Sequence, residues 1–125
     1  MEFQKDNTFI SGRLKSVSFA VKGAVKLITT EHSIMVQFCI GIIMTILGFF
    51  MHITATEWLF QTLAIGLVMS VEGINTAIEK IADFIHPEFH KRIGFIKDIA
   101  AGAVFFAAMT AIAIGLIIYL PKLLY

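Results

Sequence analysis

The chain has 125 residues, which suits one domain and is too short for two. It is 58% hydrophobic and 15% charged with a mean hydropathy of +0.85, whereas a soluble domain is usually about 45–50% apolar and about 25% charged. This composition excludes an ordinary soluble domain and predicts an integral membrane protein. A net charge of +1 is uninformative alone, because the distribution of charges carries the information. The single cysteine, Cys39, excludes an intrachain disulfide.

The first predicted element is an amphipathic helix over 11–29, which follows a short polar tail of residues 1–10. Its apolar residues recur at helical spacing, and basic residues accompany them. A basic amphipathic helix before a hydrophobic span is typical of a helix that lies at the membrane interface. The alternative is a soluble helix packed on a core. The apolar stripe comprises Leu14, Val17, Val21, Val25 and Ile28, and the basic residues are Arg13, Lys15, Lys22 and Lys26.

Three further stretches, 34–52, 57–78 and 99–120, are predicted transmembrane helices. About 20 residues at ~1.5 Å per residue cross a ~30 Å hydrocarbon core. A short turn at 52–56 separates the first two, and Trp58 is an expected interfacial anchor. The second continues as a polar helix to about Ile85, where His86-Pro87-Glu88 breaks it. Pro121-Lys122 is expected to end the third. The predicted fold class is an all-α membrane protein, with an interfacial helix and three spans in one domain, 1–125.

The basic residues predict the orientation in the membrane. They cluster before the first span and between the second and third, whereas the 52–56 turn has none and only Lys122 follows the third span. The positive-inside rule places the N-terminus and the 80–98 segment in the cytoplasm and the C-terminus outside. The clustered residues are Lys5, Arg13, Lys15, Lys22, Lys26, Lys80, Lys91, Arg92 and Lys97.

Acidic residues gather at the cytoplasmic ends of the spans and would repel one another unless cations are present. At ~100° per residue, most polar side chains at that end of the second span fall in one stripe along the helix. The residues that continue this stripe deeper into the membrane are apolar. The pattern predicts a polar groove that opens to the cytoplasm and ends at Glu72, ~10 Å deeper than Glu79. Five of the nine acidic residues lie at these ends: Glu31, Glu72, Glu79, Asp83 and Asp98. The stripe is Glu72, Asn75, Thr76, Glu79 and Asp83.

An ionisable side chain at the depth of Glu72 is costly, which makes it a functional candidate. The alternative is a structural carboxylate bonded to a neighbouring helix. A buried carboxylate can accept a proton, and Glu72 is well placed to meet a lipid hydroxyl. Glu79 and Glu31 lie nearer water, where oxygen ligands suit Mg²⁺. Asn75 lies between and could orient either group.

Basic residues at the same boundary, chiefly Arg13, Lys15, Lys22 and Lys97, could hold phosphate oxygens. For any single one of these residues, the positive-inside bias is the favoured explanation. Lys97-Asp98 opens the third span, and two interpretations stay open. The pair is either a helix start with an interfacial anchor, or a phosphate-contacting lysine with an orienting aspartate.

These motifs resemble the bacterial diacylglycerol kinase and undecaprenol kinase family. The resemblance rests on Glu72-Gly-Ile-Asn75-Thr-Ala-Ile-Glu79 followed by Lys97-Asp98-Ile-Ala-Ala-Gly-Ala-Val104, and it covers nearly the whole chain. Thr30-Glu31-His32 and His86-Pro87-Glu88-Phe89-His90 are similar to the undecaprenol kinase branch, with Phe89 in place of a usual Tyr. The stretch Arg92-Ile93-Gly94-Phe95-Ile96 departs from the family, where a more polar sequence is expected.

The resemblance implies a homotrimer in the bacterial inner membrane, with active sites between subunits, that transfers phosphate from Mg-ATP to a lipid alcohol. No nucleic-acid partner is expected. Undecaprenol is favoured over diacylglycerol as the acceptor because of the loop. The implied roles are catalytic base for Glu72, metal binding for Glu31 and Glu79 with Asn75 nearby, phosphate contact for Lys97 and Asp98, and basic nucleotide contact for Arg13 and Lys15.

Two other hypotheses stay open on the residues alone. A small proton-coupled transporter could use Glu72 as its carrier site, but such carboxylates usually lie near the bilayer midplane. A scaffold subunit without chemistry would tolerate the loss of Glu72, Asn75 and Glu79 together.

Overall fold

A computed structural model describes residues 9–125, so residues 1–8, with Lys5 and most of the expected polar tail, lie outside the described residues. Within this range the chain is all-helical, in the order α1 (Phe9–Thr30), α2 (His32–Phe50), α3 (Ala55–Ile85) and α4 (Lys91–Leu124). α2, α3 and α4 are long and apolar enough to cross a membrane. The predicted fold class of a leading helix and three spans is confirmed, and the chain is a multi-pass membrane protein.

A single residue, Glu31, separates α1 from α2. It has extended backbone angles, φ −106° and ψ 116°. The preceding Thr30 hydroxyl donates to the Lys26 carbonyl at 2.5 Å, and such hydroxyl bonds compete with the helical ladder. No residue of α1 is buried within the single chain, although a helix packed on a core would bury a stripe. Near its C-terminal end, Leu27 contacts α3 where Gly73 leaves room: a Cβ there would lie 3.1 Å from Leu27 Cδ1.

A tight connection joins α2 to α3 and holds them close together. His52 adopts the left-handed region with φ 52°. Thr54 caps α3 in a reciprocal box, because its hydroxyl accepts from Glu57 N and its own N–H donates to Glu57 Oε1 at 2.9 Å. Gly48 permits the close approach of the helices, since a Cβ there would lie 2.7 Å from Trp58 Cη2. Trp58 therefore lies near the N-terminal end of α3 and also packs between α2 and α3.

α3 and α4 are antiparallel and form the most extensive helix contact in the chain. The two helices are tied by ion pairs at both ends: Lys122 Nζ lies 3.1 Å from Glu57 Oε1, and Lys97 Nζ lies 2.6 Å from Asp83 Oδ1. α3 has 31 residues and α4 has 34, so at ~1.5 Å per residue both exceed a ~30 Å hydrocarbon core. Part of each helix must project beyond the hydrocarbon.

The bounds of the last helix differ from the sequence-based expectation at both ends. The helix itself begins at Lys91, two turns before the predicted span, because the His90 side chain caps it by accepting from Arg92 N at 3.1 Å. The expectation that Pro121-Lys122 ends the helix is wrong. Pro121 lies inside α4, and Tyr125 N donates to its carbonyl at 3.0 Å. Proline is tolerated in membrane helices, and the Lys122–Glu57 ion pair holds this last turn against α3.

Candidate functional site

The buried face of α3 carries the central group of the site. Five of its six buried residues recur at intervals of three and four, so these five lie on one side of the helix; the sixth, Ala82, comes six residues after them. Glu72 is 8% exposed and Thr76 is 7% exposed. The Glu72 side chain is therefore largely covered by the bundle, inside a helix long enough to cross a membrane. This buried face of α3 comprises Gln61, Ala64, Val68, Glu72 and Thr76.

Asn75 and Glu79 lie beside this face and are partly buried. Asn75 Nδ2 donates to Glu79 Oε1 at 3.2 Å, which fixes the direction of the amide group. Asn75 Oδ1 is buried and has no hydrogen-bond partner. A buried acceptor left unpaired costs about 1–3 kcal/mol, so this oxygen needs a donor or a cation. A carboxylate and an amide oxygen side by side are ligands that suit a divalent cation.

Glu31 reaches the same end of α3 from the break between α1 and α2. Its side chain makes no capping bond to α2; instead it pairs with Lys80, with Nζ 3.1 Å from Oε1. Lys80 directly follows Glu79 along α3. Sequence reasoning counted Lys80 only as evidence for orientation, and its position one residue after an expected metal ligand was the available signal. The structure thus brings Glu31 to the end of the α3 stripe.

Lys97 and Asp98 lie in the second turn of α4 and not at its start. Lys97 donates to Asp83, and both side chains are more than a third exposed. An ion pair this exposed adds little to stability, so its main effect is to orient Lys97. Asp98 is exposed. Asp83 was predicted as part of the stripe without a role of its own, and its contact with Lys97 depends on how α3 and α4 pair.

Arg13 and Lys15 lie at the other end of α1 and are exposed. The Arg13 guanidinium carbon lies 5.0 Å from the centroid of the Phe9 ring. From Lys15 to Glu31 is 16 residues, or ~24 Å along a helix. The structure does not bring these two cations beside Glu72 within one chain.

Metal ligands are sparse in the single chain. Between Phe9 and Tyr125, no three His, Cys, Asp or Glu side chains come together in an arrangement that could hold a metal ion. The two predicted ligands have other partners, since Glu31 pairs with Lys80 and Glu79 accepts from Asn75. A bound cation could displace the Lys80 ammonium from Glu31, and it could bind the Glu79 carboxylate together with the Asn75 amide.

Comparison with known proteins gives the class. Residues 18–119 match the family described as prokaryotic diacylglycerol kinase. An undecaprenol kinase from Bacillus subtilis (strain 168) is 37% identical over 109 residues, which is 87% of this chain and 89% of that protein. A diacylglycerol kinase from Synechocystis is 30% identical over 112 residues, covering 89% of this chain and 64% of that protein. A diacylglycerol kinase from Haemophilus influenzae is 27% identical over 100 residues, covering 80% and 85%.

The chain belongs to the prokaryotic diacylglycerol kinase family, because the match covers most of its length, including all of α2 and α3 and most of α4. Its class is therefore that of a lipid kinase, an enzyme that works on a nucleotide and a lipid in a membrane. The resemblance drawn from the Glu72–Glu79 and Lys97–Val104 motifs is confirmed at the level of family.

Proposed function

We propose that this protein transfers the γ-phosphoryl group of ATP to the hydroxyl of a membrane lipid alcohol, at the cytoplasmic surface of the bacterial inner membrane. The observation that carries the proposal is the carboxylate of Glu72, buried among helices of a membrane-spanning bundle at the inner end of a polar stripe. A lipid hydroxyl is confined to the membrane boundary, so the nucleotide must approach it there. Family membership supports the reaction class.

In the proposed reaction, Glu72 is the catalytic base. The lipid hydroxyl gives its proton to the Glu72 carboxylate while its oxygen forms a bond to the γ-phosphorus. The bond between that phosphorus and the β–γ bridging oxygen breaks, and ADP leaves with the electron pair. Phosphoryl transfer of this kind depends mainly on positioning and on charge stabilisation. Burial of Glu72 favours its role as a base, because few water molecules compete with the lipid hydroxyl for hydrogen bonds to its carboxylate oxygens.

Mg²⁺ is the proposed metal, with Glu31 and Glu79 as its protein ligands and Asn75 beside them. The fit rests on the unpaired Asn75 Oδ1 next to the Glu79 carboxylate. Two carboxylates leave positions for phosphate oxygens and water, as Mg²⁺ sites at nucleotides usually do. The bound ion would neutralise negative charge on the transferring phosphate. Lys80 holds Glu31 in place at the same end of α3.

Lys97 and Asp98 are the proposed contacts to the nucleotide phosphates, together with Arg13 and Lys15. The Asp83 partner would present the Lys97 ammonium in a defined direction. Arg13 and Lys15 lie ~24–27 Å from Glu31 along α1. A homotrimer whose sites form between subunits would let the cations of one chain serve the Glu72 of another, and this distance supports that assembly.

Undecaprenol is the proposed acceptor, ahead of diacylglycerol. The Bacillus relative named undecaprenol kinase shares 37% identity with this chain, and the two relatives named diacylglycerol kinase share 30% and 27%. The segments 30–32 and 86–90 also resemble the undecaprenol kinase branch.

The decisive variant is Glu72→Gln, with Glu88→Gln as its matched control. Glu88 is an exposed carboxylate in the α3–α4 loop. Purified proteins in lipid vesicles receive labelled ATP with undecaprenol or diacylglycerol, and the labelled lipid phosphate is measured. Removing a general base typically costs about 10²–10⁴-fold, so Glu72→Gln should lose at least a hundredfold while Glu88→Gln keeps its rate.

Retained activity in Glu72→Gln would exclude its role as base. If neither undecaprenol nor diacylglycerol becomes labelled and a substrate instead moves across sealed vesicles, the result would favour a transporter.

A further inference from the structure

A cavity of about 350 Å³ lies between α2, α3 and α4 in the part of the bundle away from the ion pairs of Lys80 and Lys97. Apart from Gln37 and Gln61, every lining side chain is apolar or is glycine, and the cavity is partly open. An apolar cavity holds hydrocarbon better than water. The walls include Gly41, Ile65, Val68, Ala108, Ala111 and Gly115.

The cavity and Glu72 share one face of α3. Gln61, Ala64 and Val68 line the cavity and belong to the same buried face as Glu72. Val68 precedes Glu72 by four residues, which is one turn or ~6 Å along the helix. The cavity therefore begins about one turn beyond the carboxylate, on the side away from the proposed nucleotide site.

A rigid polar contact closes the far end of the cavity. Tyr119 Oη donates to Gln61 Oε1 at 2.5 Å, and Gln61 Nε2 donates to the Met44 carbonyl at 3.0 Å. Tyr119 is 7% exposed and Gln61 is 5% exposed. Both ends of the Gln61 amide are occupied, so this group needs no ligand. Moving it would leave buried polar atoms unpaired, and it forms a fixed end wall.

We propose that this cavity binds the hydroxyl-proximal part of the acceptor's apolar chain, with the hydroxyl at Glu72 and the chain running towards Gln61. The inference rests on the proposed function and adds to it the position and extent of the chain. A dry apolar cavity of about 150 Å³ holds one benzene ring, so this one has room for roughly a dozen carbon atoms. Any further length leaves through the opening into the bilayer.

The occupant is a single slim lipid chain and not a second helix or a cofactor. The lining comes from three helices of one chain, and its volume is that of one chain segment. Protein interiors seldom keep voids of this size empty. In a bilayer, the hydrocarbon present at this depth is the chain of a lipid. Among the lipid chains of the bilayer, the chain of the acceptor is the one that fits. The cavity begins one helical turn from Glu72, the proposed partner of the acceptor's hydroxyl.

The first experiment measures phosphorylation of primary alcohols of increasing chain length, in one straight-chain series and one isoprenoid series. In the wild-type protein, kcat/KM should rise with chain length and level off at roughly a dozen carbons, as expected from the cavity volume. Filling the cavity with Ala111→Phe should move the levelling-off point to shorter chains and lower kcat/KM for long chains by about tenfold, with the KM for ATP unchanged.

Ala113→Phe is the matched control. Ala113 lies on the exposed side of α4, two residues from Ala111, so the same added ring points away from the cavity. Gly115→Leu is the second test variant, since a Cβ at Gly115 meets nothing within 4 Å and the side chain has open space. Equal effects of Ala111→Phe and Ala113→Phe, or a levelling-off point that stays in place in both filled variants, would overturn the proposal.

The second experiment uses the wild-type protein and does not depend on activity. A lipid alcohol with a photoreactive diazirine near its tenth carbon should label peptides containing 61–69 and 108–118, and unlabelled acceptor should compete. Labelling spread over lipid-facing positions without competition means a bulk lipid site and overturns the proposal. The isoprenoid and straight-chain arms identify which chain chemistry fits better. Failure of the wild-type protein to phosphorylate any alcohol would instead refute the proposed function.

Discussion

Replacing Asn75 by aspartate tests whether a divalent cation binds at the α3 stripe. Asn75 Nδ2 lies 3.2 Å from Glu79 Oε1, so Asn75→Asp puts a carboxylate oxygen where the amide nitrogen donates. At an effective dielectric constant of about 20, two unit negative charges at this separation repel by about 5 kcal/mol. Side-chain rotation relieves part of this repulsion, so we expect the free energy of unfolding to fall by about 2–3 kcal/mol without divalent cations.

Mg²⁺ should recover most of that loss in Asn75→Asp, because a second carboxylate beside Glu79 makes a stronger oxygen site. The assay is unfolding by SDS in mixed micelles, followed by the fluorescence of Trp58, the single tryptophan, with excess EDTA or excess Mg²⁺. Trp58 packs at the α2–α3 contact and its signal reports loss of the bundle.

Gln61→Glu is the control for burying a new carboxylate elsewhere on the same face of α3. It should lower stability without a response to Mg²⁺. If Asn75→Asp is equally unstable with EDTA and with Mg²⁺, or if both variants respond alike, then no cation binds beside Glu79 and the metal assignment is wrong.

Two further predictions concern packing away from the proposed chemistry. Tyr119→Phe leaves the buried Gln61 Oε1 without its donor and should cost about 1–2 kcal/mol, whereas Tyr125→Phe, at a fully exposed position, should cost nothing measurable in the same unfolding assay. Equal stability of these two variants would contradict the buried bond. Gly48→Ala places a Cβ about 2.7 Å from Trp58 Cη2 and should cost about 1–3 kcal/mol with a shifted tryptophan emission. An unchanged emission spectrum and stability would refute the close helix approach.

Much of the fold was predictable because each signal is local to a short piece of chain. The three apolar helices follow from length and hydropathy alone, and the break at His86-Pro87 follows from the geometry of proline. The same proline rule failed at Pro121. There, the contact of Lys122 with Glu57, on a helix 65 positions earlier, keeps the last turn helical. A local rule has no access to that partner.

The candidate site divides in the same way. Helical periodicity places Glu72 and Thr76 on one side of α3, and both are buried as that pattern requires. The partners of the ionisable groups were not predictable, since they depend on which helices face each other and at what axial offset. Lys80 for Glu31 and Asp83 for Lys97 are the examples.

The order of residues alone determined that the chain is a membrane protein of three spans with an acidic stripe on the second, because hydropathy and a 3.6-residue period are properties of one segment at a time. Only the packing of three helices decided that an apolar cavity starts one turn from Glu72 and ends at a bond between Gln61 and Tyr119. Those two residues are 58 positions apart, and an empty volume belongs to no residue in particular. It exists only where separate helix surfaces fail to fill the space between them.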